Sequence, residues 1–246
     1  MDRIAVISDI HANLPALRAV LADIDRRNIR RIFCLGDLVG KGPHPSEAVD
    51  LVRERCEVVL QGNWDHKMTL PPENEEWVWQ LWGQPLLGDA RLDYLRGLPF
   101  SHDFYWSGRK ARLLHASPTS VYDRIRLKAT EAEKMAMFDN TPLTVDWLGR
   151  KGEAPDLVLY GDIHMAYALP LENRFLVNVG SVGLPLDENP LAAYVVLEGL
   201  LHGEESSAFS VQIVRIPYDR DEALREAAVT GMPRREKFVR DVTRAK

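Results

Sequence analysis

Apolar and polar positions follow two periods in the first third of the chain. Residues 4 to 8 (IAVIS) form a short continuous apolar run, the pattern of a strand buried on both faces. After it, Leu17, Val20, Leu21 and Ile24 recur at helical spacing, with Asn13 placed as N-cap and Pro15 in the first turn, which predicts an amphipathic helix. RRIFCLGD reads as a second strand, residues 46 to about 55 as a second helix, and EVVLQGN as a third strand. A βαβαβ order implies parallel strands joined by right-handed crossovers. Each strand ends in a polar cluster: SDIH, GDLVGKG, then GNWDH. Sites in open α/β sheets lie beyond the carboxyl ends of the strands, so these clusters are expected to converge.

Residues 67 to 110 are the least regular stretch, with Trp77, Trp79, Trp82, Trp106 and several prolines around the helical ARLDYLRGLP. They are expected to leave the sheet, either as a cap over the site or as a helical layer in which the tryptophans are packing residues. From Arg112 the strand pattern returns in RLLHASP, DLVLYGDIH, RFLVNVGSVG, AAYVVLEG and AFSVQIVRI, which predicts a second sheet with antiparallel pairs packed on the first. Residues 219 to 246 alternate apolar and charged positions at helical spacing around a Gly-Met-Pro break, a helical tail. With no internal repeat and no shift in composition, one domain is expected over residues 1 to 246.

Apolar residues make up 46% of the chain and charged residues 27%, which is globular composition. The net charge of -5, with no basic block, argues against bulk nucleic-acid binding. Cys34 and Cys56 form no CxxC and read as core thiols. The N-terminus lacks the length and flanks of a signal peptide, and no window approaches ~18 uninterrupted apolar residues, so a cytoplasmic location off the membrane is expected. Nothing in the pattern fixes an oligomeric state.

The strand ends supply Asp9, His11, Asp37 and Asn63, and the later strands add His115, Asp162 and His164. One strand-end Asp is usually a turn or cap residue, but seven such groups point to a metal centre. Oxygen and imidazole donors without thiolates suit Mn, Fe or Zn, with Mg also possible. There are more donors than one ion needs; two ions about 3.5 to 4 Å apart, sharing a carboxylate, would use them all and clamp a phosphoryl group.

D-x-H at Asp9 to His11, G-D at Gly36-Asp37, G-N-x-D at Gly62 to Asp65, a strand-end His115 and G-x-x-H at Gly161 to His164 together resemble the calcineurin-like metallophosphoesterases. ISDIHANLPAL, LGDLVGKGP and the Asn-x-Gly-Ser turn at Asn178 to Ser181 resemble the small bacterial members in particular. The resemblance covers roughly residues 4 to 185. It implies an α/β fold: a two-sheet β-sandwich of mixed sheets flanked by α-helices, four layers in α/β/β/α order. It puts Asp9, His11 and His164 on a first divalent ion, Asn63 and His115 on a second, and Asp37 between them. The implied activity is hydrolysis of a small phosphoester by attack of a metal-bridging hydroxide, without a covalent intermediate.

Two positions depart from the family pattern. Trp64 and Asp162 stand where histidines are usual. Asp162 would either ligate the second ion through oxygen, favouring Mn or Fe(II), or act as an acceptor that orients a histidine. Trp64 offers only a neutral N–H, so protonation of a leaving oxygen is lost, a role of the order of 10² to 10⁴ in rate. Phosphodiester or nucleotide-like substrates are therefore expected over simple phosphomonoesters or phosphoproteins. His66 is a candidate substitute acid or a solvated helix-start residue, and Lys41 a candidate phosphate contact or a solvated loop lysine. From another class comes a metal-binding scaffold for a protein partner, favoured by Trp64, Asp162 and the tryptophan-rich excursion.

Overall fold

The computed structural model describes residues 1–246 and contains two five-stranded sheets. In the first, β1 (Asp2–Ile7), β2 (Arg31–Cys34) and β3 (Val58–Val59) run parallel, linked by α1 (Leu14–Arg26) and α2 (Pro45–Arg55). The Asn13 side chain caps α1 by accepting from the Ala16 N–H at 3.3 Å. α3 (Asn63–Thr69) starts directly after the third strand end, so Asn63 and Trp64 lie in a helix's first turn.

The second half is laid out differently from the expectation. β9 (Ala192–Gly199) and β10 (Ser210–Ile216) belong to the first sheet, in the order β10-β9-β1-β2-β3, with β9 antiparallel to β1. Ala192 to Leu197 are buried without a break, and such a strand needs cover on both faces. Beside β1 it has helices on one face and the other sheet on the opposite face. The second sheet is built from β4 (Ser101–Trp106), β5 (Arg109–Leu114), β6 (Leu157–Tyr160), β7 (Tyr167–Leu171) and β8 (Arg174–Asn178), in the order β4-β5-β6-β8-β7. Its centre, β5-β6-β8, is parallel, and only the edge strands pair antiparallel. Both sheets are therefore mixed.

Side-chain alternation on β1 shows how the layers form. Ala5 and Ile7 face the helices, while Ile4 and Val6 enter the space between the sheets, where they meet Phe104, Trp106, Leu113, Leu159 and Val195. Residues 67 to 110 hold the end of α3, α4 (Val78–Arg96) and the edge strand β4. α4 packs on α2 and α3, turning Trp79, Leu87 and Leu95 into the core, so its tryptophans belong to the helical layer. It bends at Gly88, whose φ of 67° breaks the helical run. α6 (Arg220–Val229) and α7 (Arg235–Arg244) complete that layer through Ala223, Ala227, Phe238 and Val242.

The outer face of the second sheet has thinner cover: α5 (Glu131–Met135), two 3-10 turns and loops. Here Arg112 is fully buried and clamped by both oxygens of Asp103, at 2.7 and 2.8 Å. Cys34 is buried, Cys56 is part-buried, and both are free. No helix is long and apolar enough to cross a membrane.

Candidate metal centre

Asp9 and His11 follow β1, Asp37 follows β2, Asn63 opens α3, His115 follows β5, and Asp162 and His164 follow β6. The two sheets thus present their carboxyl ends to one place. Asp9, His11, Asp37 and His164 are all buried, and one donor atom from each falls within 4.8 Å of the others. His164 Nε2 lies 3.2 Å from Asp9 Oδ1 and 3.0 Å from His11 Nε2. Asp37 reaches both ways, with Oδ2 3.4 Å from His11 Nε2 and Oδ1 3.4 Å from His115 Nε2.

The backbone is forced into this arrangement. Asp9, His11, Asp37, Asp162 and His164 all have φ between 48° and 61°, the left-handed region that non-glycine residues avoid. Such residues persist only where surroundings over-determine them, and they cluster at functional sites. Two glycines let the loops approach: a Cβ on Gly62 would stand 2.2 Å from the Asp37 nitrogen, and one on Gly36 would stand 2.4 Å from the Gly62 nitrogen. Buried Asp65 binds the loops together by accepting from the N–H groups of Asp37 (2.7 Å), Leu38 (2.9 Å), Val39 (3.4 Å) and Gly62 (2.9 Å). From the other side the Asn178 amide donates to Gly161 O, and the Ser181 hydroxyl donates to Asp9 O.

Each cluster histidine places Nδ1 against a backbone carbonyl: His11 on Val39, His115 on Leu35 and His164 on Leu184. A neutral imidazole that donates from Nδ1 has its lone pair on Nε2, and all three Nε2 atoms face the cluster. His115 Nε2, Asp9 Oδ1 and Asn63 Oδ1 are buried with no hydrogen-bond partner. Buried acceptors without donors are costly, and converging imidazole and carboxylate lone pairs are what divalent ions bind, so the donor set fits a metal.

Charge is unevenly distributed in this pocket. Burial raises the Asp9 carboxyl, but the protonated form of His164 would outweigh it through its charge and a hydrogen bond and bring it down to about 2. Burial pushes Asp37 up to about 8, with His115 opposing and Asp9 adding to the rise. Burial and then the nearby Lys41 charge hold His11 well below its ordinary value. For His115 burial works downward, but Asp37 and Asp9 prevail and raise it.

The remaining candidates are placed as follows. The Lys41 ammonium lies 2.9 Å from His11 Nε2 and 3.5 Å from His164 Nε2, so a cation already sits against the imidazole pair. Asp162 gives both oxygens to Arg124, at 2.9 Å each, while its N–H donates to Asp9. His66 pairs with the Tyr122 hydroxyl at 2.7 Å and is not among the clustered donors. The Trp64 N–H of the backbone donates to Asp37 Oδ1 at 2.7 Å, and the indole packs on Gly40, edge-on to Trp79, between Lys41 and Lys67. Arg124 and Tyr122 carry no signal beyond their types in sequence, whereas Asp65 closes the G-N-x-D motif at Gly62 to Asp65, though the motif does not show that it binds the loops together.

Comparison with known proteins matches residues 2–199 to the calcineurin-like phosphoesterase superfamily domain. An uncharacterised protein of Methanocaldococcus jannaschii, MJ0912, is 31% identical over 94% of this chain and 93% of its own. A metallophosphoesterase from Sphaerobacter thermophilus superposes with a TM-score of 0.74 at 26% identity, covering 99% of this chain and 100% of that one. Hypothetical protein PH1004 from Pyrococcus horikoshii shares the fold with a TM-score of 0.78 at 18% identity, over 100% and 99% of the two chains.

Proposed function

Because the chain belongs to the calcineurin-like phosphoesterase superfamily, we propose that it is a metal-dependent hydrolase of phosphodiester or nucleotide-like phosphate esters. The observation that carries this is the common orientation of His11, His115 and His164, each fixed through Nδ1 with Nε2 turned toward Asp9 and Asp37. Asp9, His11 and His164 would hold a first ion, Asn63 and His115 a second, and Asp37 would serve both. When bound, such ions supply Lewis-acid polarisation of the phosphoryl group and activate water. Mn or Fe suits the donor set best, with Zn or Mg also accommodated.

The chain's own groups then set the preference. Asp37 must be ionised to act, and the Trp64 backbone N–H holds one of its oxygens. Trp64 brings no acid to the leaving group, and His66 is engaged by Tyr122, so esters with good leaving groups are favoured over alkyl monoesters. Lys41 lies close enough to the imidazole pair to meet a phosphoryl oxygen. Both Asp162 oxygens are taken by Arg124 and neither meets a histidine, so its charge positions that arginine beside the site.

The test is hydrolysis of bis-p-nitrophenyl phosphate and p-nitrophenyl phosphate by metal-stripped protein reloaded with Mn, Fe(II), Zn or Mg, beside Asp37→Asn. Diester turnover that Asp37→Asn loses, with its fold intact by circular dichroism, supports the hydrolase. Protein that holds two ions by elemental analysis and turns over neither ester would instead be a metal-binding scaffold.

A further inference from the structure

A cavity of about 480 Å³ opens beside His164 and Asp162, large enough for a small organic molecule and not only for the reacting phosphoryl group. Its walls carry Lys41, Arg124, Arg126 and Lys128 against one acid, Asp162. In a chain with net charge -5 this is a local concentration of positive charge. With the reacting group taken from the phosphoesterase reading above, we propose that this cavity binds a second phosphate of the substrate, whose class is then an organic bisphosphate with an apolar body.

Arg124 is held for such a task. Its Nε and Nη2 both meet the Asp162 carboxylate at 2.9 Å, and Asp162 is itself 2% exposed. That contact consumes the Nε–H and one Nη2–H. Both Nη1 hydrogens and the second Nη2 hydrogen remain for an anion, in the planar fork that suits phosphate. The aspartate standing at a usual histidine position thus fixes an arginine next to the chemistry. Ile125 turns inward against the outer core and accepts the Tyr160 hydroxyl, which leaves the side chains on either side of it facing the cavity. Arg126 and Lys128 take part in no ion pair, whereas Arg124 does. Leu127, exposed by 42%, and Leu186 line the same space and supply apolar contact for the body of the ligand. The cations come from one short segment plus Lys41, which fits a compact dianion and not a long polymer.

Calorimetry on the whole metal-stripped chain separates the possibilities, with adenosine 3′,5′-bisphosphate and adenosine 5′-monophosphate as probes. The bisphosphate is expected to bind about ten- to a hundredfold more tightly, the range for added charge-assisted hydrogen bonds. R126Q/K128Q should collapse that gap, while R18Q, an exposed arginine of α1 outside the cavity, should keep it. Equal affinities, a gap that survives R126Q/K128Q, or no binding of either probe would overturn the proposal. Selective binding without turnover of bis-p-nitrophenyl phosphate would remove the hydrolase and keep the anion site; turnover without selectivity would do the reverse.

Discussion

Asp65 is not one of the clustered donors, yet replacing it should damage the metal centre. Its carboxylate accepts four backbone N–H groups, from Asp37, Leu38, Val39 and Gly62. In Asp65→Asn the single remaining oxygen can keep about half of these, and the new amide points its own hydrogens at donors. Losing two hydrogen bonds to a charged acceptor costs about 3 to 6 kcal/mol at ~1.5 to 3 kcal/mol each. Burial already raises the Asp65 carboxyl and offsets part of that gain, so a loss of about 2 to 4 kcal/mol is expected. The same bonds hold Asp37 at a φ of 55°, a conformation that costs about 1 to 2 kcal/mol and relaxes once its N–H is released. Urea denaturation followed by circular dichroism should show a lower midpoint with an unchanged slope, and elemental analysis after dialysis should show less retained metal. A variant with the wild-type midpoint and full metal content would refute the idea that Asp65 shapes the site.

Two further outcomes follow from buried charge. Asp103→Ala should lower stability by about 3 to 5 kcal/mol, because it strands fully buried Arg112, and the double replacement Asp103→Ala/Arg112→Met should recover part of that in the same urea assay. In the metal-free chain burial lifts Asp37 to about 8 and the Asp37 charge lifts His115, so near neutral pH this pair holds a proton that a metal ion must displace. Both are raised, so the proton is present below pH 8 and lost above it; apparent Mn affinity should climb as pH rises toward about 8, then level. Calorimetry in buffers of different ionisation enthalpy reads the released proton, and a pH-independent affinity over that range would count against it.

The sequence alone was enough to locate β1 to β3 with their helices, because a buried strand and an amphipathic helix each impose a period that a local window displays. It likewise marked the strand ends that carry Asp9, His11, Asp37, Asn63, His115, Asp162 and His164, since polar residues closing an apolar run are a local signal. What no local window contains is pairing. β9 was expected in the second sheet and lies against β1 in the first, a choice made by which edge could bury both faces of Ala192 to Leu197. The partner of Asp162 is an arginine 38 positions earlier in a loop with no regular structure, and only folding brings the two together. Gathering Arg124, Arg126, Lys128 and Lys41 around one cavity reverses the impression left by a mildly acidic chain without a basic block. Composition sums charge over the whole surface, whereas the field at a site depends on the few charges that the tertiary structure sets within a Debye length of it.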